Sequence, residues 1–288
     1  MDGQIPVIDL QKIQKESHLL REACKLWGCF RLINHGLPFK LMAEMKSTMK
    51  ALFDRPVEIK RRIKGEIEIS GYRPPSKLNP LYEGFSIYDA SPEAVSSFCT
   101  DLQLTPQQRE TMLIYVKAVS TLAKKVASFL APYNFENWLV EIRPNKYSFT
   151  PESIGSHGAI IHTDDGFLTI LQDDESIGGL EVMDPSGSFV SVDPALGTFL
   201  VNLGDVATGW SNGELRNVQH RVQCKEAGMR LSIAVFLEPP KDTIIEPHPQ
   251  FLKPNQPLRI SPFTHKQLRN TRVAKNLHVG EALYLVRT

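Results

Sequence analysis

Charge of one sign, clustered cysteines and long apolar runs are all scarce in this 288-residue chain, and each shortage removes a class of function. Its 33 lysines and arginines against 32 aspartates and glutamates leave a formal net charge of +1, which offers no electrostatic footprint for a nucleic acid. The one basic cluster, Lys60-Arg61-Arg62-Ile63-Lys64, follows a helical pattern and reads as a solvated helix end. Cys24, Cys29, Cys99 and Cys224 form no C-x-x-C pair and suggest no disulfide framework, so a reducing compartment is expected. No segment approaches the ~18 apolar residues needed to span a bilayer. The first residues, Met1 to Pro6, lack the basic start and apolar run of a signal peptide. The expectation is a cytoplasmic protein with neither membrane nor nucleic acid among its partners. Internal repeats, low-complexity tracts, nucleotide-binding glycine loops and H-E-x-x-H are also missing.

What is present suffices for a substantial core, since 42% of the residues are hydrophobic. Residues 5–10 read as a short strand, 19–27 as a helix and 29–34 as a second strand, with His35-Gly36 as a turn whose histidine is structural. Leu41, Met45, Met49, Leu52 and Phe53 recur at helical spacing and read as core filler. Another helix opens at Thr105-Pro106-Gln107-Gln108, where a cap, a first-turn proline and a capping-box glutamine stand in order. Between these helices, residues 71–89 carry Tyr72, Arg73, Phe85 and Tyr88 among prolines, which fits either a loop packed on the core or a lid over a small-molecule site.

From Asn145 the texture changes to eight short strands, at 145–149, 160–164, 167–172, 180–183, 189–192, 198–203, 217–223 and 230–237. Strands of that length and spacing suit a double-sheet jelly roll. The reading is an α+β fold: a double-stranded β-helix core at 145–240, an N-terminal region at 1–100, a helical connection at 101–144 and a C-terminal extension at 241–288. That extension is proline-rich over 239–262 and ends in a basic helix over 263–277, with Lys266, Arg269, Arg272 and Lys275.

The chemistry-bearing residues lie in the strand-rich part. His162-Thr163-Asp164 sits between apolar, strand-like stretches, and period-two geometry puts His162 and Asp164 on one face, as two ligands of one metal require. His220 follows among Val218 and Val222. Taken alone, a histidine in such a setting is a satisfied core residue. Two imidazoles and a carboxylate together are the facial set that holds non-haem Fe(II) and leaves positions open for substrate and oxygen. Downstream, Arg230 and Ser232 share a strand face, and an arginine directed into an apolar barrel needs a partner charge. A guanidinium fork suits a carboxylate, which points to a dicarboxylate co-substrate, 2-oxoglutarate.

With these residues in place, the chain resembles the plant-type Fe(II)- and 2-oxoglutarate-dependent dioxygenases over nearly its whole length. Residues 5–10 and 27–36 match that family's helical domain. His162-Thr163-Asp164-Asp165-Gly166, Asn202-Leu203-Gly204-Asp205, Ser211-Asn212-Gly213, His220-Arg221-Val222 and Arg230-Leu231-Ser232 match its oxygenase core. Within the family it is most similar to the group for auxin oxidation, on residues 168–174, the stretch from Asp205 to Trp210-Ser211-Asn212-Gly213, and residues 220–227. Two departures are a short stretch at 131–143 and Asp165 where auxin oxidases often carry serine.

The resemblance implies that His162, Asp164 and His220 hold Fe(II) as the catalytic centre. It implies that Arg230, Ser232 and Tyr147 receive the far carboxylate of 2-oxoglutarate, with Asn145 in the same Asn-x-Tyr motif, and that ascorbate serves as reductant. The expected reaction adds oxygen to indole-3-acetate or its amino-acid conjugates, giving the 2-oxindole form with succinate and CO2. For that substrate Tyr72, Phe85, Tyr88 and Trp210 are aromatic candidates and Arg73 a carboxylate partner. Within the class the alternative is hydroxylation of a gibberellin or a flavonoid. Outside it stand a zinc hydrolase, which leaves Arg230, Ser232, Asn145 and Tyr147 without a role, and a non-catalytic jelly-roll binding protein, although no ligand is missing.

Overall fold

The computed structural model describes residues 4–65, 70–131, 133–252 and 257–286. The elements run β1 (Val7–Asp9), α1 (Ser17–Leu26), β2 (Cys29–Ile33), α2 (Phe39–Phe53), α3 (Val57–Lys60), β3 (Gly71–Arg73), β4 (Tyr82–Ser86), α4 (Pro92–Asp101) and α5 (Pro106–Leu130). There follow β5 (Leu139–Phe149), β6 (His157–His162), β7 (Leu168–Gln172), β8 (Leu180–Met183), β9 (Phe189–Ser191), β10 (Phe199–Leu203), α6 (Asp205–Trp210), β11 (His220–Gln223) and β12 (Gly228–Glu238). The short strands β13 (Ile244–Ile245) and β14 (Phe263–Thr264) lead into α7 (His265–Lys275).

An eight-stranded sheet in the order β1-β2-β10-β7-β12-β5-β4-β3 faces a four-stranded sheet in the order β6-β11-β8-β9, the two layers of a jelly roll. Period-two alternation divides the large sheet between two cores. Leu231, Ile233, Val235 and Leu237 of β12, with Leu168 and Ile170 of β7, turn outward into a cluster shared with α2, α4 and α5. On the other face Tyr147, Leu171, Ala234 and Phe236 turn toward Leu180, Val182 and Val222 of the small sheet. The inner face also carries the polar residues of the site, at the register Arg230 opposite Tyr147, Ser232 opposite Asn145 and Ala234 opposite Arg143.

The expected helix at Thr105 forms with both capping-box bonds, and its buried stripe includes Met112, Tyr115, Val119, Leu122 and Val126. Other expectations change. The stretch at 71–89 contains strands β3 and β4, which extend the large sheet beyond β5 instead of forming a separate lid. Strand β5 starts at Leu139, because the missing N–H of Pro144 lies where pairing with β4 lapses between Gly84–Asn145 and the isolated Ile87–Ile142 bridge. Helices α4 and α6 were not expected, although Ser91-Pro92 before α4 is a cap followed by a first-turn proline. The cluster at 60–64 is only partly solvated: Lys60 is buried and bonds Glu83 and the Phe53 carbonyl. Strand β2 pairs with β10 and β1 lies outside it against β2, so the N-terminal region contributes strands to the same sheet as the oxygenase core. Among the described residues no helix is long and apolar enough to cross a membrane.

Gly28 joins α1 to β2 at φ +71°, and a Cβ there would lie 2.2 Å from the Arg216 carbonyl oxygen, in the segment leading to His220. Gly28→Ala is therefore expected to lower the unfolding free energy by at least about 1–2 kcal/mol, from the left-handed backbone alone. Urea denaturation followed by circular dichroism checks this, and an unchanged midpoint would contradict the close approach.

Candidate active site

A cavity of about 1210 Å³ opens between the sheets, and His162, Asp164, His220, Arg230, Ser232, Asn145, Tyr147, Arg73 and Tyr88 all line it. His162 and His220 are register partners across β6 and β11, with ring centroids 4.2 Å apart. Strand β6 ends at His162, so Asp164 does not continue its face as expected but reaches in from the following loop. Its Oδ1 comes within 3.9 Å of His162 Nε2 and 3.7 Å of His220 Nε2.

The surroundings fix what these atoms can offer. Nδ1 of His162 faces the Ile160 carbonyl at 2.8 Å and Nδ1 of His220 faces that of Val218 at 3.2 Å. A carbonyl only accepts, so each Nδ1 carries the proton and each Nε2 presents its lone pair to the common centre. Burial, and then the charge of His220, push His162 down to about 4, so its imidazole is neutral near pH 7. Thr169 Oγ1 donates to Asp164 Oδ2 at 2.5 Å, leaving Oδ1 turned to the histidines. The three ligand atoms lie within 4.8 Å of one another, a set that can hold one divalent ion on one side.

Arg230 is 1% exposed and paired through Nη2 with Asp173. Among the described residues its Nε and Nη1 are buried without a hydrogen-bond partner, and its guanidinium lies 5.2 Å from the Tyr147 ring centroid. Two unmet cationic donors in a cavity wall, beside Ser232 on the same strand face, fit an incoming carboxylate. Asn145 is already engaged: its Oδ1 accepts from Tyr82 Oη at 2.9 Å and its Nδ2 donates to the Arg143 carbonyl at 3.1 Å. It braces the wall rather than presenting a free amide.

The aromatic candidates divide. On β3 and β4 successive side chains point to opposite faces, so Arg73 and Tyr82 face the cavity while Tyr72 and Phe85 turn away. Tyr72 Oη donates to Glu83 at 2.6 Å, and Phe85 is fully buried against Phe53 and Phe98. Trp210 is buried on α6 among Phe167, His248 and Phe251, also off the cavity. Tyr88 lines it, with Arg269 over its ring at 5.3 Å.

Several cavity residues carry no local sequence signal. Arg143, two positions before Asn145 on the inner face of β5, stacks at 4.7 Å on Phe236 and pairs with Glu141. Period two would have reached it had the strand been extended through Pro144. From α7, Arg269 bonds Asp165 at 2.5 Å and Glu238 at 2.6 Å, while Arg272 bonds Asp205 and the Thr163 carbonyl, each at 2.8 Å. Arg269 and His265 hold Asp165 well below the usual carboxylate range, although burial opposes them. Asp205, fully buried, is pushed up to about 6 by desolvation.

Residues 136–239 match the model of the 2OG-Fe(II) oxygenase superfamily, and residues 5–108 that of the non-haem dioxygenase in morphine synthesis N-terminal family. The chain belongs to the 2OG-Fe(II) oxygenase superfamily. It is 45% identical to 2-oxoglutarate-dependent dioxygenase DAO of Oryza sativa subsp. indica, over 97% of this chain and 98% of the relative. The crystal structure of the rice dioxygenase for auxin oxidation superposes with a TM-score of 0.91 at 43% identity, covering 99% of this chain and all of that one. Dioxygenase for auxin oxidation 1 from Arabidopsis thaliana, in a binary complex with 2-oxoglutarate, superposes with a TM-score of 0.84 at 50% identity, over 88% of this chain and all of that one. Gibberellin 3-beta-dioxygenase 4 of Arabidopsis thaliana is 31% identical over 93% of this chain and 81% of the relative. The protein is thus a 2-oxoglutarate-dependent dioxygenase that uses iron, and the zinc-hydrolase and non-catalytic readings fall away.

Because Arg269 sits among Asp165, Glu238 and Glu141, its removal leaves buried carboxylates uncompensated. Arg269→Met is expected to cost about 3–5 kcal/mol of stability. Urea unfolding at neutral pH measures it, and a loss under about 1 kcal/mol would show that the network is not held by this side chain.

Proposed function

We propose that this dioxygenase oxidises indole-3-acetate, or its amino-acid conjugates, at ring carbon 2 to the 2-oxindole form. The observation that carries the reading is the full-length likeness to the rice and Arabidopsis enzymes for auxin oxidation, with 45% identity to the rice enzyme. The cavity supports an acid substrate independently. Arg73 and Arg143 both line it, and Arg73 has its pKa lowered by burial and then by the charge of Arg143. Like charges held together in a buried wall are relieved by an anion. Phe236 and Tyr88 give the same region apolar faces suited to an indole.

In this reading His162, Asp164 and His220 hold Fe(II), Arg230 and Ser232 receive the far carboxylate of 2-oxoglutarate beside Tyr147, and Arg73 and Arg143 receive the carboxylate of the substrate. Iron and 2-oxoglutarate together supply oxidative decarboxylation that activates oxygen, releasing succinate and CO2. The residues around them orient the substrate and exclude water. One oxygen atom enters at ring carbon 2, and the hydroxylated product tautomerises by moving a proton to carbon 3. Ascorbate is the reductant that keeps the iron ferrous. The four cysteines are free and buried, in keeping with a reducing, cytoplasmic setting.

Alanine at Asp164 or His220 is expected to abolish turnover and to weaken Fe(II) binding, measured anaerobically on purified protein; full activity in either variant would remove that residue from the ligand set. Arg230→Ala should weaken 2-oxoglutarate by roughly two to four decades, as loss of a buried charged partner costs about 3–5 kcal/mol. Titration of the co-substrate reads this, and an unchanged affinity would reassign the arginine.

Mass spectrometry of reactions containing Fe(II), ascorbate, 2-oxoglutarate and indole-3-acetate or a conjugate should detect oxindole and succinate in equal amounts. In Arg143→Met the KM for the acid should rise about tenfold or more, with a smaller change for the corresponding amide. Efficient hydroxylation of a gibberellin or flavonoid without any oxindole would overturn the auxin reading and leave the dioxygenase class intact.

A further inference from the structure

Arg230 already has an anionic partner inside the cavity wall. Asp173 accepts from Nη2 of Arg230, and both side chains are largely buried, at 12% and 1% exposed. The aspartate is not free to swing away, because the next residue anchors the turn that carries it. Asp174 Oδ1 accepts from the backbone N–H groups of Ser176 and Ile177, each at 2.9 Å, and its Oδ2 from that of Leu231 at 2.8 Å. Leu231 adjoins Arg230, so one turn fixes both members of the pair. Among the described residues Asp173 Oδ2 remains buried without a hydrogen-bond partner, as do Arg230 Nε and Nη1.

We propose that Asp173 is a positioning residue that sets the affinity for 2-oxoglutarate: it holds the Arg230 guanidinium in the wall and competes with the far carboxylate of the co-substrate for that single charge. The inference rests on Arg230 being the co-substrate anchor. Before binding, the aspartate neutralises a cation that would otherwise be buried alone, which favours the folded protein. On binding, the arriving carboxylate is a second anion for one guanidinium and stands near the first. Mutual repulsion of two carboxylates across a few ångströms opposes binding. Affinity is therefore lower than an unshared arginine would give, and the pocket is preformed in return.

The test is calorimetric titration of the anaerobic Fe(II)-loaded enzyme with 2-oxoglutarate, and in parallel with pyruvate, which has the chelating keto acid but no far carboxylate. Asp173→Asn keeps the shape and removes the charge. It should bind 2-oxoglutarate about tenfold more tightly than the wild type, with pyruvate affinity unchanged, and its thermal midpoint without co-substrate should fall. Asp173→Ala, measured in the same way, guards against a new amide contact and should shift 2-oxoglutarate in the same direction. Equal or weaker 2-oxoglutarate binding in a folded variant overturns the proposal, as does an equal gain for both ligands. If Arg230→Ala binds 2-oxoglutarate as the wild type does, the anchor assignment itself fails, a result distinct from failure of the competition.

Discussion

Charge buried inside a barrel must be met by opposite charge, and most of the polar architecture of this enzyme follows from that constraint. The cavity wall contains Arg73, Arg143, Arg230, Arg269 and Arg272. Asp173 meets Arg230, Glu141 meets Arg143, Asp165 and Glu238 meet Arg269, and Asp205 meets Arg272. A buried ion pair gains little net stability over a hydrophobic replacement, but breaking one is expensive. The pairs therefore act chiefly as fixed geometry, holding charged groups at set places around the metal centre where water would otherwise blur them.

The large sheet converts this into an ordered reaction space. Reading along the inner face of β12, Arg230 and Ser232 come first, then Ala234 and Phe236, with Tyr147, Asn145 and Arg143 facing them across the register. The positions proposed for the co-substrate and for the substrate thus lie on one pair of strands. The histidines approach from the small sheet, and their own register pairing sets their separation. Sites built on paired strands hold their geometry better than sites built on loops.

How much of this the sequence disclosed depended on whether the partners were local. His162, Asp164 and His220 were legible because their residue types name a chemistry and their flanks read as strands. Alternation places Asp164 on the strand, whereas the chain leaves β6 at His162; two residues beyond a strand end are below what alternation can resolve. Tyr72 and Phe85 lie off the cavity yet read as candidates, because aromatics beside prolines look alike whether they line a cavity or fill a core, and only the phase of β3 and β4 separates Tyr72 from Arg73; Trp210, a candidate by resemblance alone, is buried on α6. Arg269 and Arg272 read as an ordinary basic helix, since their acidic partners lie far away in sequence. Lys60 at the end of α3 is hidden for the same reason, its partner Glu83 being on strand β4.

The contact between α7 and the loop after β6 has a consequence for biosynthesis. The backbone N–H of Thr163 donates to the carbonyl of His278, and the Thr163 carbonyl accepts from Arg272, 109 positions further on. Chain emerging from a ribosome presents His162, Asp164 and His220 before either of those partners exists. Until the chain has been made through His278, Thr163, which stands between His162 and Asp164, has neither bond closed. The segment between His162 and Asp164 is thus closed by the far C-terminal part of the chain, and a truncation before Arg272 would remove both of these bonds to Thr163.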